Sequence, residues 1–399
     1  MLTGHRMSGR GRRLVALALA GLVFAAAGAP QPADAAAADT LQERLMAETL
    51  LAQDVTMGKG VTVAVLSSGV DPHVRPRSGA LRPGTDLVGL PHPKRVEGTL
   101  IASFLGGSRS SSGVPGVAPA ADILPVRVEP DRDDHGGKDW WGRNNLCDVI
   151  TRGIRYAVDH GAGVVLVATA CYAYDTEQMD AALDRARSRN VVVVAPNRPT
   201  VYGDPPPLPA ALPGVIGVGT LAKDGSRWSR YALKTSVTLV SAPGTRTPTT
   251  GPDGRPWEFW GPEPAAAWVA GTVALVRSKF PQLSPAQVAQ VVADSAHHPK
   301  GGYNADLGFG VVSPVRALIA AEKIRRQRVS PTAPGVADDA HFAARPGTIG
   351  AARHDPALLA GLGGLILVSV GALVAAVFRL RAGRRGTKAT ASYPWTSTT

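Results

Sequence analysis

GKGVTVAVLSSGVD, residues 58–71, is a β-branched apolar run closed by small turn residues. Its centre, VTVAVL (61–66), lacks the polar alternation of a half-wet strand, so it predicts a strand buried on both faces. Similar runs recur at VVLVAT (164–169), VVVVA (191–195) and VIGVG (215–219). Helix-compatible segments lie at 146–159 and 177–189, and two more follow at 264–279 and 285–295. Strands alternating with helices predict an α/β domain with a largely parallel central sheet and helices on both faces. A polar, helix-compatible lead (40–57) precedes the first strand, and no internal repeat is present.

Outside this domain the sequence carries topogenic signals. Arg6, Arg10, Arg12 and Arg13 precede an uncharged run, 14–29, and small residues around Ala35 complete the layout of a secretory leader, 1–35. Residues 357–378 form a 22-residue stretch without charge. At ~1.5 Å per residue a helix of that length crosses a hydrocarbon layer of ~30 Å. Arg379, Arg381, Arg384, Arg385 and Lys388 follow with no acid, which places the tail, 379–399, in the cytoplasm and the domain, 40–322, outside. The stretch 323–356, rich in Pro, Ala and Gly, reads as a linker.

The net charge of +12 is explained largely by this topology. The leader has four arginines against Asp34 and the tail five cations, so eight of the twelve are topogenic and +4 remains for the rest. That residue of charge, without an aromatic-interleaved basic stripe, excludes a nucleic-acid partner. The two cysteines, Cys147 and Cys171, both fall in the external domain, one at a helix start and the other just after a strand. In an α/β layout these positions share one edge of the sheet, so the pair is a disulfide candidate, with two buried thiols as the alternative. Their spacing gives no metal site, and no cofactor motif is present.

Four blocks, in order, resemble the subtilisin-like serine peptidases: residues 58–71, VEGTLIASFLGG (96–107), GVAPAADILPVRV (116–128) and GPEPAAAWVAGTVALVRSKFPQLSPAQV (261–288). The resemblance implies the three-layer fold of that family. Carried over by position, the family's catalytic Asp falls on Ser67, its His on Glu97 and its nucleophilic Ser on Glu263, while the oxyanion Asn falls on Asn197, after Pro196 instead of Gly. Acyl transfer needs a hydroxyl nucleophile and an imidazole base oriented by a carboxylate. A carboxylate at 263 is a poor nucleophile and sets negative charge beside the oxyanion position. His73, His92 and Ser103 do not match the catalytic register. Glu97 and Glu263, each at a helix start, are expected to face each other, so that one keeps a proton or recruits a cation. Helix-end amides favour their charges by only ~0.3–1 kcal/mol each. The expectation is a pseudopeptidase, with an unorthodox peptidase built from Ser67, Glu97 and Asn197 as the alternative.

Leader, external domain, proline-containing linker, single membrane helix and basic tail together resemble the mycosins, the membrane-anchored proteases of type VII secretion. Cys171, just after VVLVATA, is similar to a cysteine at that place in the mycosins. The resemblance implies a scaffold or peptide-binding subunit with membrane proteins of the secretion machinery as partners, and a subtilisin-like groove carrying two acids could hold a basic peptide; an exported, anchored peptide-binding domain unrelated to secretion is the other alternative.

Overall fold

The computed structural model describes residues 32–107, 115–143, 145–199 and 206–326, with residue 375. The leader residues before 32 and the expected membrane span, 357–378, lie outside this set apart from residue 375. Among the described residues no helix is long and apolar enough to cross a membrane.

Seven parallel strands form the central sheet, in the order β2-β3-β1-β4-β5-β6-β7. They are β1 (Thr62–Ser67), β2 (Thr85–Asp86), β3 (Asp122–Arg127), β4 (Val164–Val167), β5 (Val192–Pro196), β6 (Val215–Leu221) and β7 (Val240–Pro243). A separate hairpin pairs β8 (Thr247–Thr250) with β9 (Pro256–Phe259). The expected apolar runs are strands, shifted by a residue or two at their ends.

Alternate residues of each strand feed two cores. Val63, Val65, Ile123, Leu166 and Val194 point to one, and Ala64, Leu66, Leu124, Val165 and Val193 to the other. Helices α2 (Val96–Gly106) and α6 (Pro262–Lys279) fill the first, and α4 (Leu146–Asp159) and α5 (Glu177–Ser188) the second. Burial on both faces is why the strands carry continuous apolar runs. At the centre of the first core, Trp268 is wholly buried and meets the Phe104 ring edge-on at 5.0 Å.

The remaining helices frame these layers: α1 (Pro32–Gln53), α3 (Gly137–Arg143), α7 (Pro285–Ser295) and α8 (Pro314–Arg326). Helix α1 begins within the stretch read as leader. It is fastened to the domain by Leu45 and Ala52 in the core and by the Gln53 amide, which donates to the carbonyls of Gly116 and Val117 at 2.8 and 3.1 Å. Ser284 and Gln287 close a capping box at the start of α7.

One close approach positions the site. A Cβ on Gly98 would stand 2.1 Å from the Gly69 carbonyl oxygen and 2.4 Å from Ser67 Oγ, so only glycine lets the first turn of α2 rest on the end of β1.

Candidate functional site

In a parallel sheet the strand C-termini and the helix N-termini share one edge, and side chains placed there converge. At this edge β1 ends in Ser67, β3 leads into Glu129, and β5 leads into Asn197 and Arg198. Glu97 lies in the first turn of α2 and Glu263 in the first turn of α6.

Neither helix start supplies its own side-chain cap. For α2 the cap comes from a distant loop: the Asp131 carboxylate accepts the amides of Val96 and Glu97 at 2.9 and 3.3 Å. For α6 the chain enters through Gly261 at φ 120, whose amide donates to the Gly244 carbonyl at 2.8 Å. A side chain at 261 would fail twice, on backbone conformation and because its Cβ would lie 2.8 Å from Glu263 Oε2.

Three glutamates and one arginine interact here. Arg198 donates to Glu263 Oε1 at 3.1 Å, with both side chains largely shielded from solvent. Thr169, just beyond β4, donates its hydroxyl to Glu129 Oε2 at 2.8 Å. Burial pushes the Glu97 carboxyl well above the usual carboxylate range, and the charges of Glu129, Glu263 and Asp131 push it further, against the pull of Arg198. Burial likewise raises Glu129 to about 7, although the Thr169 hydrogen bond and Arg198 oppose it. Burial raises Glu263 as well, and there Arg198 is the chief opposing influence. Burial works against the charge on Arg198, but Glu263, Glu129 and Glu97 outweigh it and hold the guanidinium protonated. Arg198 thus places a cation of the chain itself beside Glu263, where burial outweighs the favourable backbone amide.

Of the other sequence-assigned residues, Ser67 is wholly buried and its Oγ takes no hydrogen bond from the described residues, as is true of Glu97 Oε1. The Asn197 side-chain amide is spent within the protein: Nδ2 faces the Leu233 carbonyl at 3.0 Å and the hydroxyls of Thr235 and Thr238 at 3.1 and 2.7 Å. Ser103 is buried in α2, His73 is exposed on Asp71, and His92 sits in an exposed loop. Cys147, at the start of α4, and Cys171, after β4, form a disulfide with Cα atoms 5.4 Å apart. Among the described residues no group of three or more His, Cys, Asp or Glu side chains is arranged to hold a metal ion.

Sequence reasoning missed Glu129 and Arg198. Each directly follows a residue it did single out: Glu129 comes after the block ending in Val128, and Arg198 after Asn197. Residues two steps past a buried parallel strand belong to the functional edge, and that rule would have found both.

A doubly covered parallel sheet whose first-turn residues of two central helices meet at its C-terminal edge defines a subtilisin-like α/β architecture. The chain belongs to the Subtilase family, whose model matches residues 58–311. Among curated proteins it is similar to Mycosin-1 of Mycolicibacterium smegmatis, at 29% identity over 317 residues, covering 67% of this chain and 70% of that protein. Among solved structures it is similar to MycP1 from the ESX-1 type VII secretion system, with TM-score 0.59 and 28% identity, covering 71% of this chain and 85% of that one. It is also similar to a chain of the periplasmic assembly from the ESX-5 inner membrane complex, with TM-score 0.57 and 25% identity, covering 77% and 88%. The chain is therefore a mycosin-like subtilase, related to the proteases of type VII secretion.

Proposed function

We propose that this chain is a pseudopeptidase of the mycosin type, anchored in the membrane by residues 357–378 with its domain outside the cytoplasm, and that it serves type VII secretion as a scaffold or peptide-binding subunit. The observation that carries this reading is the Arg198–Glu263 ion pair at the start of α6, the position to which the family resemblance assigns the nucleophile. A carboxylate tied to a guanidinium offers no hydroxyl for attack on an amide. Glu97 stands where the resemblance assigns the imidazole, so the site lacks the ring that takes and returns the nucleophile's proton, and burial with the neighbouring carboxylates pushes the Glu97 carboxyl well above the usual range. Asn197, whose amide is engaged with Leu233, Thr235 and Thr238, is not poised to stabilise an oxyanion. In the well-studied subtilisin example, loss of the nucleophile or the base alone costs on the order of a millionfold in kcat. The similarity to a chain of the ESX-5 assembly supports a place among secretion-machinery membrane proteins.

The alternative, a peptidase using Ser67 as nucleophile and Glu97 as base, is disfavoured by the complete burial of Ser67. The two readings separate in a cleavage assay. The purified full chain is incubated with a proteome-derived peptide mixture, and new termini are counted by mass spectrometry. The pseudopeptidase yields no more than its Glu263→Ala variant. New termini that depend on Ser67 would establish the alternative.

A further inference from the structure

Away from the glutamate cluster, the domain surface holds a cleft of about 510 Å³ lined by Ala222, Lys223, Trp228, Thr245, Arg246 and Trp260. Its volume lies within the range of ligand and side-chain pockets, about 300–1,000 Å³. We propose that it is a docking site for an acidic peptide segment of a partner protein, one that seats an aromatic or aliphatic side chain between Trp228 and Trp260 and places carboxylates on Lys223 and Arg246.

The lining combines the two features such a segment needs. Trp260 is 50% exposed, which leaves indole surface open in a position where burial by a ligand is favourable. Trp228 stands edge-on to the Tyr231 ring at 4.6 Å, so its orientation is fixed before any ligand arrives. The Arg246 guanidinium lies 5.7 Å from the centre of the Trp260 ring, a cation–π arrangement that sets positive charge beside the apolar surface. Arg246 also pairs with Glu258 at 3.1 Å, but both side chains are at least half exposed, so that pair is weak and exchangeable for a ligand carboxylate. Lys223 has no ion pair among the described residues.

The cleft is braced from behind. Thr245 donates its hydroxyl to Gln42 Oε1 of α1 at 2.7 Å, and the Gln42 amide reaches the Arg246 carbonyl. A preformed wall lowers the ordering cost of binding.

The chemistry favours a peptide over the other anionic surfaces such a site could meet. A bilayer presents a plane of charge, whereas this site is concave. A carbohydrate is recognised by aromatic faces together with side-chain amides or carboxylates, and the lining has neither of the latter. The inference does not rest on the idle centre, because none of the lining residues belongs to the Glu97, Glu129, Glu263 and Arg198 cluster.

The test is a selection from a displayed library of random short peptides on the purified full chain, counter-selected on the full-length Trp260→Ala/Arg246→Glu variant. Selected peptides are then measured by fluorescence anisotropy. The expected result is enrichment of Asp or Glu beside an aromatic or aliphatic residue, with binding weakened at least about tenfold by Trp260→Ala, by Lys223→Glu and by replacing the peptide's acids with amides. Thermal melting of each surface variant should match that of the parent, which shows that the loss is local. No enrichment of acids, or affinity unchanged in the variants, would overturn the proposal. Sedimentation with phosphatidylglycerol vesicles is the companion measurement. Vesicle binding that depends on Lys223 and Arg246, without peptide binding, would also overturn it, by assigning the cleft to lipid.

Discussion

Two arginines, Arg127 buried and Arg198 partly exposed, serve this domain in opposite ways. Arg127, at the end of β3, donates to Asp86 and to Asp134, each at 2.8 Å, and to the Leu90 carbonyl. Its carboxylate partners are themselves satisfied: Asp134 takes the backbone amides of Lys94 and Asp131, and Asp86 those of Val88 and Gly89. Burial alone would raise Asp86, yet hydrogen bonds from Arg127 and those two amides hold it below its ordinary value. At Arg198, three glutamates share one guanidinium, hydrogen bonds are few, and all three carboxyls are pushed upward. The clusters differ both in donors and in burial: Asp86 is partly exposed and takes three N–H donors, whereas burial is the leading influence on all three glutamates. N–H donors favour the charged form of a carboxylate inside a protein, and burial without them pushes it toward the protonated form. The first cluster ties two loops to the sheet. The second is electrostatically unsettled, as sites that meet ligands or once did chemistry tend to be. Asp131 links them, since its amide belongs to the first and its carboxylate caps the helix that carries Glu97.

The contrast breaks most visibly at Arg127. Arg127→Met strands the wholly buried Asp134 and should cost about 3–5 kcal/mol of stability, read by chemical denaturation. A smaller effect would mean that the loop network carries less of the fold than its hydrogen bonds imply. Next in size is the pH response of Glu129. Folding raises this group from 4.5 to about 7, so the folded state holds a proton that the unfolded state gives up. Stability should therefore fall as pH rises between those values and level off above, by up to about 3 kcal/mol. Glu129→Gln should flatten that slope, as measured by melting temperature against pH. Arg198→Met should cost about 1–3 kcal/mol near pH 8 and less at lower pH, because burial pushes all three carboxyls toward protonation, which lessens their need for a counter-charge. The smallest change is Asp131→Asn, which weakens the α2 cap by about 1 kcal/mol and removes one of the charges that raise Glu97.

These clusters differ in how far the sequence reveals them. The strands were legible because burial on both faces writes itself as unbroken β-branched runs, and helices 146–159 and 285–295 are observed with the expected bounds. Ser67, Glu97, Asn197 and Glu263 were legible because they sit inside blocks whose spacing fixes their place at one edge of the sheet. Glu129 and Arg198 were not, because a single charged residue after a strand looks like an ordinary loop residue until the fold brings three acids around one base. Nor did the sequence reveal that the Asn197 amide is consumed, since its partners Leu233, Thr235 and Thr238 lie more than thirty residues away. The aromatic cleft was hidden for the same reason, its two tryptophans being separated by the whole β7–β9 region.

The most direct test of the proposed pseudopeptidase centre is labelling of the full chain by a fluorophosphonate serine-hydrolase probe, beside a Glu97→His, Glu263→Ser, Ser67→Asp variant. The native chain should remain unlabelled. The restored variant should label, at a rate held back on the order of a hundred- to a thousandfold by the misdirected Asn197 amide. Labelling of the native chain at a rate comparable to that of the restored variant would contradict the account, because it would require an activated hydroxyl where the structure places a buried serine and a salt-bridged glutamate.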